Sequence, residues 1–214
     1  MDASVSVLRA LGALLSYPRP ELRVALPEIA AEIAGARLLV PGDRAALLAL
    51  VDELSAKDAL DAEEAYVEIF DRGRSTSLYL FEHVHGEARD RGAAMVELNE
   101  LYAAAGLDLA GRELPDYLPV VLEYLSGRDR GEARAMLGDC AHILRLIGEV
   151  LVKRDSRYAS VFQALLTIAG EPGIDPLRAR RRAPDKDDPD RDWEERPAFA
   201  PEPGRPGTGE GRCG

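Results

Sequence analysis

The chain has 214 residues, 46% of them hydrophobic, which suits one helical domain with a substantial core, or such a domain followed by a tail. Its formal net charge of −11 repels phosphate backbones, so a nucleic-acid-binding protein is not expected. Without a run of about 18 apolar residues or the basic start of a secretory signal, neither membrane insertion nor secretion is predicted. Its two cysteines, Cys140 and Cys213, are too far apart to suggest a disulfide framework, which favours a reducing, cytoplasmic setting.

Proline and glycine breaks divide the first part of the chain into four predicted helices. Apolar residues share one face of the first helix at helical spacing, namely Val5, Leu8, Leu11 and Leu15. Three further helices are predicted over residues 21–34, 43–55 and 61–70. Asp43 is expected to cap the third helix at its start, and Gly73 to close the fourth at its C-cap.

The second part of the body continues the same helical pattern. A short helical piece is predicted from Ser75 to Gly86, followed by a long helix over residues 87–105. Pro115 is expected to open the next helix, because the missing N–H of a first-turn proline would be unpaired anyway. Two final helices, over 132–153 and 158–169, complete an all-α bundle of about eight helices. No segment has the alternating pattern of a strand.

The composition changes at residue 171, which predicts a helical domain over residues 1–170 and a tail over 171–214. Eight of the 14 prolines lie in the tail, together with mixed charges. Such a segment buries too little apolar surface to offset its chain entropy, so we expect it to be largely disordered. Residues 192–199 contain the only tryptophan and are expected to dock on the body or on a partner.

Residues 66–92 are too polar for plain core and too aromatic for plain surface, so they are predicted to form a working surface. They hold the only close histidine pair, His83 and His85, among several carboxylates. On a helix, residues two apart point about 200° away from each other, so no metal site is predicted and hydrogen bonds to nearby carboxylates are expected. Without a G-x-S-x-G, P-loop or dinucleotide motif, neither an enzyme nor a cofactor site is predicted.

Two segments resemble the signatures of a known family. Residues 66–92, YVEIFDRGRSTSLYLFEHVHGEARDRG, and residues 112–125, RELPDYLPVVLEYL, are similar to the two motifs of NarJ-type chaperones, the delta subunits of nitrate reductase within the redox-enzyme maturation proteins. The tail around residues 192–199 also resembles the end of such proteins. The family commonly has histidine where this chain has Tyr117, and tyrosine can donate a hydrogen bond and stack but does not titrate near neutrality.

The resemblance implies an all-helical, non-catalytic chaperone. Members of this family bind the N-terminal segment of the immature catalytic (alpha) subunit of nitrate reductase, typically a basic amphipathic helix. They hold that segment while the molybdenum cofactor is inserted, and they delay membrane docking until maturation is complete. A cytoplasmic protein with this partner, and with no cofactor of its own, is therefore expected.

The residue chemistry agrees with such a role. An apolar groove between helices would take the apolar face of a peptide helix, and acids at its rim would meet the basic side chains. The predicted peptide-binding residues are Tyr66, Phe70, Leu78, Phe81, Glu82, His83, His85, Asp90, Asp116, Tyr117, Leu122 and Glu123. Internal ion pairs with Asp71, Glu87 and Asp90 are expected, in preference to an anion site, for Arg72, Arg74, Arg89 and Arg91.

Three alternatives stay open at this point. The aromatic residues of the first motif also fit helical spacing toward the interior, so they could pack in the core instead of lining a groove. A helical adapter or regulatory subunit could dock a folded partner through its acidic face, independently of any N-terminal peptide. A helical metalloprotein would carry stoichiometric metal.

Overall fold

Apolar residues at helical spacing fold into an all-α body, as predicted. The computed structural model describes residues 6–84, 88–107, 109 and 113–181, without the side chains of 88–90. Two 3-10 turns and one isolated β-bridge accompany the α-helices in these ranges. Ten α-helices are described, against about eight predicted: α1 Val7–Leu14, α2 Pro20–Gly35, α3 Pro41–Ala56, α4 Ala59–Phe70, α5 Ala88–Ala104, α6 Leu118–Ser126, α7 Arg130–Asp139, α8 Ala141–Lys153, α9 Ala159–Ala169 and α10 Pro176–Arg181.

The close packing of α1 against α6 joins the start of the chain to its middle. A Cβ added at Gly12 of α1 would lie 3.1 Å from the backbone oxygen of Pro119 and 3.3 Å from Cβ of Leu122. Contacts this tight leave little room for a side chain, so glycine lets the two helices approach each other. Leu8, Leu11 and Leu122 are completely buried in this contact region.

Helices α8 and α9 form the other main contact of the core. The buried residues of α9 are all apolar, and Phe162 among them is 0% exposed. Gly148 of α8 faces this helix, since an added Cβ there would lie 3.0 Å from Cβ of Phe162. Helix α9 ends at Gly170, whose positive φ of 78° suits a residue without a side chain.

Two predicted helix boundaries are wrong. The helix predicted over 132–153 is broken at Cys140, where φ is −98° and ψ is 8°, and α7 and α8 both pack against α9 on either side of this break. Pro115 does not open a helix, since it lies in a turn and α6 begins at Leu118 with Pro119 in its first turn. The preference for proline in the first turn of a helix thus applies to Pro119 and not to Pro115.

Local details also differ around α3 and α4. Val40 occupies the N-cap of α3, and Asp43 lies in the first turn, where it is 7% exposed. Helix α4 is capped at its end by Asp71, whereas Gly73 has extended backbone with a φ of −135°. The piece predicted to be helical after Ser75 consists of 3-10 turns over Arg74–Thr76 and Leu80–His83. Side-chain hydroxyls satisfy backbone groups here, because Thr76 donates to the carbonyl of Ile69.

Helical structure continues past the domain boundary predicted at residue 170. Helix α10 packs against α8 and buries Ala179 completely. Near its end Arg180 forms an ion pair with Asp155, in the turn after α8. The remainder of the predicted tail, including residues 192–199, lies outside the described residues. Among the described residues, no helix combines the length and the apolar character that a membrane span requires.

Candidate functional site

An open cleft of about 550 Å³ lies where the end of α4 meets the segment after it and the turn before α6. Four tyrosines contribute to its lining, and we call it the tyrosine cleft after Tyr17, Tyr66, Tyr79 and Tyr117. Among the described residues, its lining is Tyr17, Arg19, Tyr66, Phe70, Asp71, Arg72, Gly73, Arg74, Ser77, Leu78, Tyr79, Glu82, Glu113 and Tyr117. The cleft therefore combines residues from both segments that the sequence singles out.

A short backbone pairing brings these two segments together. Tyr79 and Tyr117 form an isolated antiparallel bridge, and the N–H of Leu118 donates to the carbonyl of Leu78 at 2.8 Å. The N–H of Leu80 donates to the carbonyl of Asp116 at 3.1 Å. Side-chain oxygen Oδ2 of Asp116 accepts a further bond of 3.0 Å from the N–H of Phe81. These bonds fix one wall of the cleft.

The tyrosine hydroxyl groups fix the rest of its shape. Tyr66 donates to the carbonyl of Leu15 at 2.8 Å, and its hydroxyl lies 3.2 Å from that of Tyr117. The ring centroids of Tyr79 and Tyr117 are 5.1 Å apart. Tyr17 and Tyr66 form an edge-to-face contact, with their ring centroids 5.5 Å apart. Aromatic contacts of this kind, combined with hydrogen bonds at the polar ends, hold rings in defined positions.

The floor of the cleft is continuous with the core. Phe70 is 5% exposed and packs against Tyr66 at 4.9 Å and against Tyr158 of α9 at 5.0 Å. Leu78 is likewise 3% exposed. The two interpretations of the aromatic residues are thus both realised, because these side chains pack inward while one side of each faces the cleft.

The cleft tyrosines are uncharged hydrogen-bonding groups. Burial raises the pKa of Tyr66 far above its ordinary value, and the nearby Tyr117 raises it further. Burial is also the main cause that raises the pKa of Tyr117, and of Tyr79, where a hydrogen bond to Glu113 adds to the effect. Since the phenolate forms are disfavoured, the cleft presents hydroxyl groups over the whole physiological pH range.

Charges of both signs surround this aromatic surface. Asp71, Glu82 and Glu113 contribute three carboxylates, and three guanidinium groups come from Arg19, Arg72 and Arg74. Within the described residues, Asp71 included, no carboxylate forms an ion pair with any of these three arginines. Glu87 and the side chain of Asp90 lie outside the described residues, so the expected pairing of Arg72 and Arg74 with those two acids stays a prediction. The cleft therefore presents both signs of charge to a group that enters it.

A second, smaller cleft of about 340 Å³ continues along α4. It shares Tyr17 and Arg72 with the tyrosine cleft, and its other lining residues are Leu60, Glu63, Glu64, Val67 and Glu68. Leu60 is 75% exposed. This α4 ridge, defined by Leu60, Glu63, Glu64, Val67 and Glu68, is thus an acidic surface with an apolar component beside the aromatic cleft.

Five of the twelve predicted site residues line the tyrosine cleft, namely Tyr66, Phe70, Leu78, Glu82 and Tyr117. Phe81 is half-buried nearby without lining it, and Glu123 is exposed on α6 outside the cleft. Leu122 is completely buried against α1, so it belongs to the core and not to a surface groove. Asp116 is also completely buried and cannot act as a rim acid, because it holds the backbone of Phe81 inside the wall.

The predicted histidines and Asp90 do not form a visible part of the cleft. Nε2 of His83 lies 2.8 Å from the carbonyl of Ser77, so it is held by a backbone group and not by the expected carboxylate. His85 and the side chain of Asp90 lie outside the described residues. Among the residues that are described, no group of three or more metal-binding side chains is arranged to hold an ion.

Nine of the lining residues were not among the predicted site residues, and they include Tyr17, Arg19, Tyr79 and Glu113. Tyr79 and Glu113 lie within the two segments already singled out, so their position was the available signal. Tyr17 and Arg19 lie among the prolines Pro18 and Pro20, where the local pattern indicates only a break between helices.

Comparisons with known proteins identify the family of this chain. Residues 37–164 match the family described as nitrate reductase delta subunit. The nitrate reductase molybdenum cofactor assembly chaperone NarJ of Escherichia coli strain K12 is 49% identical over 156 residues, which are 73% of this chain but only 66% of that protein. In the same strain, the probable chaperone NarW is 43% identical over 166 residues, 78% of this chain and 69% of its own. A probable NarJ chaperone of Bacillus subtilis strain 168 is 33% identical over 167 residues, 77% of this chain and 89% of its own.

Proposed function

Because the chain belongs to the nitrate reductase delta subunit family, we propose that it is an assembly chaperone for a molybdenum-dependent nitrate reductase. It binds the N-terminal segment of the immature catalytic subunit, assists insertion of the molybdenum cofactor and delays membrane docking until the subunit is mature. The work takes place in the cytoplasm and involves no reaction catalysed by the chaperone itself. The observation that supports this proposal best is the open aromatic cleft at the junction of the two family motifs.

The apolar face of the client segment, in helical form, enters the tyrosine cleft. An amphipathic helix offers side chains at positions i, i+3, i+4 and i+7, which suits a cleft with a buried apolar floor and fixed aromatic walls. Tyr79 and Tyr117 are half-buried, with their rings in contact at an angle of 34°, so a ligand can contact them without unfolding their surroundings. Rigid aromatic residues of this type usually contribute most of the binding energy at an interface.

Basic side chains of the client meet the α4 ridge beside the cleft. Glu63 and Glu64 of the ridge adjoin Tyr17, so a helix seated in the cleft places its cations over these carboxylates as it leaves. Such exposed pairs set orientation and association rate more than affinity, and they weaken as salt is added. The acids of the α4 ridge thereby act as the rim carboxylates, the role that the sequence analysis assigned to Asp116 and Glu123.

A calorimetric titration with the N-terminal peptide of the presumed client tests this proposal. Tyr79→Ala should weaken binding about tenfold, since loss of one central aromatic anchor costs about 1.4 kcal/mol or more. Glu63→Gln with Glu64→Gln should weaken binding less, and should reduce its dependence on salt. Leu146→Ala is the matched control, because Leu146 is 40% exposed on α8 and does not line the cleft.

Two results would contradict the proposal. No saturable binding of the peptide to the wild-type chain would remove the peptide-binding function. Binding of the full client that survives deletion of its N-terminal segment would instead support the alternative, an adapter that docks a folded partner through its acidic face.

A further inference from the structure

The three arginines of the tyrosine cleft are not explained by a basic client. Arg19, Arg72 and Arg74 line the cleft, and within the described residues none of them pairs with a carboxylate. A positively charged peptide helix cannot neutralise them, and it would meet like charge on this side of the cleft. Guanidinium groups beside aromatic rings are suited to an acidic segment that also carries an aromatic side chain.

The chain itself contains a segment with these properties. Residues 185–195 hold seven acidic and two basic residues, so this stretch has a net charge of −5. Trp193, the only tryptophan of the chain, lies within it, and Phe199 follows shortly after. Acidic and aromatic character therefore coincide in this segment, which lies beyond the described residues.

The chain leaves the described body close to the cleft. Arg180 of α10 is paired with Asp155, directly after Arg154. The guanidinium of Arg154 donates to the carbonyl of Ile69 at 3.4 Å, and Ile69 precedes Phe70 of the cleft floor. From Arg181, the twelve residues to Trp193 span up to about 40 Å when extended. The path from α10 to the cleft floor consists only of the Arg180–Asp155 pair and the Arg154–Ile69 hydrogen bond. The extended segment is longer than this path, so Trp193 can reach the cleft.

We propose that residues 192–199 occupy the tyrosine cleft of the same chain and that the client segment displaces them. Trp193 stacks against the tyrosine walls, while Asp192, Glu194 and Glu195 pair with Arg19, Arg72 and Arg74. Displacement rests on the proposed function, whereas docking of the segment does not. The chaperone thus protects its own apolar cleft until a client arrives, and the two occupants use opposite charges of the same site.

Fluorescence of the single tryptophan reports on docking in the full chain. We expect an emission maximum at shorter wavelength than in urea-unfolded protein, and protection of Trp193 from acrylamide. Arg72→Glu combined with Arg74→Glu should remove this protection. Arg37→Glu combined with Arg130→Glu is the matched control, because these exposed arginines make the same charge change away from the cleft and should leave the emission unchanged.

Peptide titration tests displacement separately, with a tryptophan-free client peptide. Addition of the peptide should shift the emission of Trp193 toward that of the unfolded chain. Trp193→Ala with Phe199→Ala should raise the apparent affinity about fivefold or more, since an occupied site lowers apparent affinity by the fraction that is free. The cleft variant Arg72→Glu/Arg74→Glu should also bind the basic peptide more tightly than wild type.

Each outcome decides one part. Solvent-exposed emission in the native chain, or protection that the cleft variant leaves intact, overturns docking in the cleft. Protection that grows with protein concentration assigns the segment to the cleft of a second copy and overturns docking in the same chain. Unchanged peptide affinity in the Trp193→Ala/Phe199→Ala variant overturns competition while the proposed function stands. The last outcome combines a protected Trp193 in the wild type with no binding of client peptide, either by the wild type or by the substituted variants. Docking of the segment would then stand, and the proposed function would be wrong.

Discussion

The α8–α9 contact and the tyrosine cleft both contain aromatic side chains, but different forces hold the two regions. Phe162 is surrounded by apolar residues and approaches Gly148 closely, so its position follows from packing alone. In the cleft, by contrast, Tyr66 and Tyr117 are held by hydrogen bonds around a hollow that stays open. The first region therefore determines stability, whereas the second keeps a defined surface for a ligand, and substitutions should separate these two effects.

The largest effect is expected for Phe162→Ala in the α8–α9 contact. Removing a completely buried phenylalanine should lower the free energy of unfolding by about 3–5 kcal/mol, because a cavity remains among side chains that cannot collapse into it. Urea unfolding measures this loss, and peptide affinity of the folded fraction should remain at the wild-type value. If the free energy of unfolding fell by less than about 1 kcal/mol, packing of α9 would contribute little to stability, and the contrast between the two regions would be wrong.

A smaller effect is expected for Tyr66→Phe in the cleft. The substitution removes the donor to the carbonyl of Leu15, a completely buried residue, and an unsatisfied buried carbonyl costs about 1–3 kcal/mol. Tyr117→Phe is the matched control, since it also removes one hydroxyl but leaves the bond to Leu15 intact, and should cost less than about 1 kcal/mol. Equal losses in the two variants, measured by urea unfolding, would show that hydrogen bonding does not fix the cleft.

The smallest effect is expected for Asp116→Asn, which should change how stability depends on pH. Burial raises the pKa of Asp116 above its ordinary value, although the N–H of Phe81 and the charge of Arg91 act in the opposite direction. The native state therefore binds this proton more tightly than the unfolded state, so stability falls as pH rises from the ordinary pKa through the raised one. The asparagine side chain is neutral at every pH, so the stability of Asp116→Asn should not show this decrease.

Urea unfolding between acidic and neutral pH measures the difference between wild type and Asp116→Asn. Asp139→Asn is a suitable control, because Asp139 is exposed at the end of α7. The same pH dependence in wild type and Asp116→Asn would show that the charged form of Asp116 is not disfavoured by its position in the wall.

The sequence predicted the helices better than their ends, and the cleft only in part. Periodicity indicates that residues 132–153 are helical, but the break at Cys140 depends on the contacts of α7 and α8 with α9, which local pattern does not contain. Asp116 illustrates the same limit for the site. A carboxylate in a polar motif suggests an exposed acid, and only the pairing of Leu80 with the neighbouring backbone places it inside the wall.

Tyr17 shows why the cleft could not be completed from the sequence. It approaches Tyr66 because the hydroxyl of Tyr66 donates to the carbonyl of Leu15, which holds α4 against the end of α1. Residues that are distant in sequence and share no motif give no local signal of proximity. Tyr66, Phe70, Leu78, Glu82 and Tyr117 were predictable because the two motifs mark them.

The bridge between Tyr79 and Tyr117 also bears on the order of events during synthesis on the ribosome. Tyr66 and Tyr117 are 51 positions apart, and the partner of α1 is the still later helix α6. A nascent chain that has only just exposed residue 92 thus has the first motif, but it has neither the opposite wall of the cleft nor α6, against which its first helix packs. Because such distant pairings form late, client capture should begin only once α6 has emerged, and ribosome-bound chains arrested before Leu118 should not retain the client peptide.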